Sequence, residues 1–92
     1  MGKYRIELKK SVQKDFESIP KKDLQRIIMA IESLAENPRP HGCKKLEGMD
    51  DLYRIRSGDY RVVYQVADQV LVVLVVRIGH RGTVYRRMRK PR

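Results

Sequence analysis

The chain has no tryptophan, one phenylalanine and one cysteine. A lone Cys43 excludes an intramolecular disulfide, so cysteine usage gives no sign of an oxidising compartment. The two histidines, His41 and His80, lie far apart and with Cys43 make no metal-ligand spacing. Neither a metal nor any other cofactor is expected. No glycine-rich phosphate loop is present, because Gly79-x-x-Gly82 is too short to form one. The longest apolar run, Val70 to Val76, falls far below the ~20 residues that span a bilayer. Met1 to Arg5 lead into no apolar stretch, and the residue after Arg5 is Ile6 rather than the Ser or Thr of an acylation signal. The sequence therefore reads as a soluble cytoplasmic protein that makes no use of a membrane.

Negative charge is also in short supply. Lys and Arg total 21 against 11 Asp and Glu, a net charge of +10 at pH 7. So much positive charge on a small surface attracts polyanions, nucleic acid first among them. The 92 residues suffice for one domain, 1–92, with a modest core. Hydrophobic residues at 41% are enough to drive folding, which argues against disorder.

Residues 3 to 8 alternate, with Tyr4, Ile6 and Leu8 on one side, and read as a half-buried strand. Ser11 can cap a short helix carrying Val12, Phe16 and Ile19, which Pro20 ends. A longer helix is expected from Lys21 to Ala35, with Leu24, Ile27, Ile28, Ile31 and Leu34 as its apolar stripe. Asn37-Pro38 closes it through a left-handed cap at Asn37. Residues 37 to 51 read as a loop. Three strands follow: Leu52 to Arg56, Tyr60 to Val66 and Val70 to Ile78, with turns at Ser57-Gly58-Asp59 and Ala67-Asp68-Gln69. The third, apolar at nearly every position, is expected to be covered on both faces. Thr83 to Arg87 is a candidate for one more short strand. The order β-α-α-β-β-β gives an α+β domain, an antiparallel sheet with two N-terminal helices packed on one face.

Side-chain alternation sends Arg54 and Arg56 to one side of their strand. Across the Gly58 turn Arg61 can share that side, with Tyr60, Val62 and Tyr64 opposite. Arg77 and Arg81 fall near the end of the next strand. Planar guanidinium groups with several donors suit phosphate oxygens. Such a row can also be a merely solvated face, since ten of the 11 acidic residues precede residue 60 and some can pair with it. Clustering at the hairpin, with His80 and Tyr85 nearby in sequence, favours a site. His80 could serve as acid or base. His41 and Cys43 receive no role.

Three blocks carry a resemblance: Lys45-Leu46-Glu47-Gly48, then Leu52 to Tyr64 around Gly58-Asp59-Tyr60-Arg61, then Ile78-Gly79-His80-Arg81-Gly82-Thr83-Val84-Tyr85. Together they resemble the RelE/ParE toxin superfamily, the RelE branch best, over nearly the whole chain. The resemblance implies a fold related to small microbial ribonucleases and the toxin of a type II toxin–antitoxin system. It implies an mRNA interferase, an endoribonuclease that cuts mRNA in the ribosomal A site and so inhibits translation. The ribose 2′-OH would attack the adjacent phosphate without a metal. A RelB-like antitoxin would wrap and neutralise the toxin, and the pair would bind operator DNA only as a complex.

By that resemblance Arg54 and Arg56 stand where the best-known member has lysines, Arg61 and Arg81 match its arginines, and Tyr85 its tyrosine. Arg61 and Arg81 would stabilise the pentacovalent phosphate. Tyr85 would orient or deprotonate the 2′-OH. Arg54, Lys44, Lys45, Arg77, Arg86 and Arg87 would grip RNA. An arginine at position 56 is a poor general base, so Tyr85 or His80 takes the proton, or Arg56 acts only electrostatically. Two other readings are a ParE-like inhibitor of DNA gyrase without nuclease activity, and an inert toxin that retains antitoxin binding.

Overall fold

Val12 and Phe16 recur at helical spacing and Val12 is fully buried, which fixes the inward face of α1, Lys10–Glu17; the helix ends before Ile19 rather than running to Pro20. A computed structural model describes residues 3–46, 48 and 51–84. The N-cap of α1 is Lys9, without a side-chain cap, so Ser11 lies inside the helix rather than capping it. Pro20, fixed near φ −55°, is the N-cap of α2, Lys21–Ser33. Leu24 packs against the core beside the buried Ile27, Ile31 and Leu34. α2 ends two residues before Ala35, and Asn37 does not adopt the left-handed geometry expected of it. Its Oδ1 instead accepts the backbone N–H of Arg39 at 3.1 Å, closing a side-chain turn.

The strands are β1 (Arg5–Leu8), β2 (Lys44–Lys45), β3 (Leu52–Ser57), β4 (Tyr60–Ala67) and β5 (Val72–His80). They form one sheet in the order β1-β5-β4-β3-β2. Every pairing is antiparallel except β1 with β5, which is parallel. Three boundaries differ from the sequence reading. The stretch 37–51 holds β2, an edge strand too short to show periodicity. β5 begins at Val72 because Leu71, at φ 56°, is spent in the β4–β5 turn. Residues 81–84 form a turn rather than the start of a strand, and 85–87 lie outside the described residues.

α1 packs on β5 and α2 crosses β3 and β4, so both helices cover one face. Beneath them lie Ile55, Val62, Tyr64, Val66, Val73, Val75 and Ile78. The other face of β5 is only half-buried at Leu74, so β5 is not covered on both sides as its composition suggests. The Tyr64 hydroxyl donates to the Pro38 carbonyl at 2.7 Å, and burial pushes its pKa up.

At the open end of the sheet, Asp68 accepts bonds from both Arg39 Nη atoms (3.1 and 2.7 Å) and from the Tyr4 hydroxyl (2.7 Å). The guanidinium first, then the hydroxyl, hold the Asp68 pKa down to about 2. A carboxylate depressed on folding stabilises the fold above its unfolded value, here 3.8, and loses that contribution as pH falls towards 2. Asp68→Asn is therefore expected to flatten the acid limb of a stability–pH curve between about pH 4 and 2 and leave the slope above it unchanged. The effect is modest because both partners are largely solvated. Thermal melts across that range check it.

Candidate active site

The site is built on β3, β4 and β5, on the face the helices leave open. Residues directly opposite across antiparallel strands share a face. Arg54 lies opposite Val63, and Arg56 opposite Arg61. Val63 lies opposite Arg77, and Arg61 opposite Gly79. Arg54, Arg56, Arg61 and Arg77 therefore share the face away from the helices, while Ile55, Val62, Tyr64 and Ile78 are in the core. Lys44, opposite Arg54, joins them at the edge. Lys45, opposite Tyr53, points the other way.

A β-bulge decides the membership of this set. Tyr64 pairs with Val75 but Val63 pairs with Arg77, so Val76 is an extra residue. Strict alternation from the buried Val73 and Val75 would send Arg77 into the core. The bulge turns Arg77 outward and Ile78 inward. The backbone N–H of Ile78, next to the bulge, donates to Asp15 Oδ2 at 3.0 Å, which ties α1 to this point.

The same bulge places His80 opposite Tyr60, whose ring it meets edge-on at 5.7 Å between centroids. Tyr60 packs against the core, so His80 stands on the helix side and apart from the arginines. The structure thus does not bring His80 together with Arg56 and Arg61.

The hairpin turn gathers three arginines. Gly58, at φ 61°, takes the first position of a two-residue turn, where glycine carries no Cβ penalty. Arg61 Nη1 donates back to the carbonyls of Gly58 (3.2 Å) and Tyr60 (3.1 Å), which fixes its fork over the turn. The backbone N–H of Arg81 donates to the Asp59 carbonyl at 2.8 Å, so Arg81 is held beside that turn, with its side chain exposed. Arg56, directly opposite Arg61, completes the group. Like charges directly opposed are destabilising, and an anion between them relieves the repulsion.

No carboxylate among the described residues forms an ion pair with Arg54, Arg56, Arg77 or Arg81. The pair Arg39–Asp68 lies at the other end of β4, and Arg5–Glu7 on the far edge strand. No group of three His, Cys, Asp or Glu able to hold a metal ion occurs among the described residues. No helix of the described residues is long and apolar enough to cross a membrane.

Sequence reasoning missed the support under Arg81. The 81–84 turn folds down so that Val84 is fully buried, and Arg77 Nε donates to the Val84 carbonyl at 2.9 Å. A Cβ on Gly79 would lie 3.3 Å from Val84 atoms, so a side chain there would press Val84 back by a few tenths of an ångström. The spacing Gly79 to Val84 was the available signal. Tyr85, Arg86 and Arg87 lie outside the described residues.

Comparison with known proteins follows the same lines. A family model described as "ParE toxin of type II toxin-antitoxin system, parDE" matches residues 6–85. The putative toxin RelE1 of Methanocaldococcus jannaschii is 33% identical over 87 residues, spanning 91% of this chain and 97% of its own. The mRNA interferase toxin RelE of Escherichia coli K12 is 32% identical, over 85% of this chain and 83% of its own. The archaeal RelE–RelB complex from Pyrococcus horikoshii OT3 contains a chain similar at TM-score 0.77 and 36% identity, covering 89% of this chain and 99% of that one. With the α+β fold and the matched blocks, these likenesses show that the chain belongs to the RelE/ParE family of type II toxin–antitoxin toxins and has a RelE-like fold.

Proposed function

We propose that the chain is an endoribonuclease that cuts mRNA in the ribosomal A site and is neutralised by a RelB-like antitoxin. The observation that carries this reading is the convergence of Arg56, Arg61 and Arg81 at the β3–β4 turn, on the sheet face away from the helices. Relatives named mRNA interferase and a neighbour solved with RelB support the activity and the partner.

The 2′-OH attacks the adjacent phosphorus as it loses its proton, and the P–O5′ bond breaks. A 2′,3′-cyclic phosphate and a 5′-OH result. Negative charge grows on the non-bridging oxygens, and Arg56 and the pre-set fork of Arg61 stabilise it there. Arg81 donates hydrogen bonds to the departing 5′-oxygen, which takes its proton from water. Arg56 cannot act as base, because an arginine stays protonated. His80 is on the other face. Tyr85 is therefore the group assigned to the 2′-OH proton. Arg54, Lys44 and Arg77 hold the backbone, and the basic residues after Tyr85 add salt-sensitive contacts to ribosomal RNA.

The test is primer extension on mRNA from translating ribosomes incubated with the purified chain. Cuts within the A-site codon, absent with naked mRNA, are the expected result. No cuts, with gyrase supercoiling inhibited instead, would overturn it in favour of the ParE-like reading.

A second variant probes the turn. Gly79→Val is expected to lift the 81–84 segment and with it Arg81. Cleavage should fall about 10²-fold, as misplacing a charged group by an ångström does. A circular-dichroism spectrum like wild type would show that the sheet survives.

A further inference from the structure

β1 covers only part of β5. Its ladder runs from Arg5 opposite Val72 to Leu8 opposite Val75, and the Lys9 N–H takes the Val75 carbonyl at 2.8 Å. There the chain turns away into α1. A strand N–H beyond that point needs another acceptor. Asp15, half-buried on α1, supplies one, its Oδ2 accepting the Ile78 N–H at 3.0 Å. The carboxylate adds one bond to the ladder where β1 has ended.

Asp15 does nothing for its own helix. It lies in the last turn of α1, where negative charge opposes the helix dipole, and aspartate is a poor residue for a helix interior. Its side chain is committed to β5 instead. Ile78 stands between Arg77 and Gly79, and both neighbours support the turn that carries Arg81. Arg77 Nε holds the Val84 carbonyl at 2.9 Å, and Gly79 lies against Val84. The N–H groups of Thr83 and Val84 both donate to the His80 carbonyl at 2.9 Å and close that turn.

We propose that Asp15 is a positioning residue for cleavage, acting through the backbone of β5 on Arg81. It sits in the helix layer, on the opposite side of the sheet from the arginines. By fixing Ile78 it holds the bulge at Val76 in place and keeps Arg77 turned outward under Val84. The 81–84 turn then stays in register with the β3–β4 turn, where the Arg81 N–H meets the Asp59 carbonyl. The inference rests on the nuclease reading above and adds to it a residue that touches neither RNA nor the reacting atoms.

The experiment combines cleavage of ribosome-bound mRNA with NMR of the full chain. Asp15→Ala should lower kcat about tenfold and leave KM within about threefold, because displacing a charged group is felt in the chemical step. Asp15→Asn keeps a neutral acceptor for Ile78 and should stay within about threefold of wild type. In an Arg81→Ala background, Asp15→Ala should cost less than about twofold more, since the group it positions is gone. A further tenfold loss there would mark general damage to the fold and overturn the proposal. In the NMR measurement Asp15→Ala should speed exchange of the Ile78 amide about tenfold and move the Arg77 Nε–H and Arg81 backbone N–H signals. Faster exchange at Ile78 with those two signals unmoved and kcat as in wild type would overturn the positioning role and leave the nuclease reading standing. Moved signals, in a chain whose wild type leaves ribosome-bound mRNA intact, would keep Asp15 as the holder of the Arg81 turn and remove the nuclease reading.

Discussion

Arg61→Ala and Arg81→Ala are each expected to slow cleavage of ribosome-bound mRNA by about 10²–10³-fold. The size follows from where the groups stand when charge develops. The fork of Arg61 is already fixed by the carbonyls of Gly58 and Tyr60, so little reorganisation is needed during the reaction. Arg81 is anchored through its own backbone N–H to Asp59, which leaves its side chain available to the leaving oxygen. The loss should appear in kcat. Arg61→Lys should recover only part of the rate, because it restores the charge but not the planar fork. Single-turnover cleavage measures all three. Wild-type rates in both alanine variants would remove Arg61 and Arg81 from the mechanism. Stability should barely change in the Arg81 variant, since Arg81 is exposed.

Ile27→Ala is expected to act on the fold instead. Ile27 is fully buried where α2 lies over the sheet. Truncating such a residue removes its transfer free energy and leaves a cavity, together about 2–5 kcal/mol. A domain of this size has only about 5–15 kcal/mol in total. A loss near 3 kcal/mol would lower Tm by roughly 10–20 °C. Met29→Ala on the same helix is the control. Met29 is 69% exposed, so its truncation should stay within about 0.5 kcal/mol. Urea melts of the two variants check the contrast, and a small effect at Ile27 would mean that α2 is not seated as described.

Much of this was legible in the residues. The periodicity of Val12, Phe16 and Ile19, and of Leu24, Ile27, Ile31 and Leu34, located both helices because one face had to be buried. Alternation of Arg54 and Arg56 with Tyr53 and Ile55 placed the arginines opposite the core, and the two-residue Gly58 turn placed Arg61 across from Arg56. Those inferences are local, and local geometry obeys fixed periods. What they missed was equally physical. β2 is two residues long, too short for any period to show. The parallel pairing of β1 with β5 joins segments far apart in sequence, where spacing carries no information.

The sequence by itself determined the basic charge, the amphipathic helices, the hairpin and the arginine row on β3 and β4, since each follows from neighbours along the chain. Tertiary structure alone decided which residues of β5 join that row. Val72 to Ile78 is apolar but for Arg77, so its pattern names no face. The bulge at Val76, where Asp15 of α1 ties down the backbone of Ile78, turns Arg77 towards the arginines and His80 away from them. A one-residue slip exchanges the two faces of a strand, and only the packing of β5 against β4 and α1 sets where that slip falls.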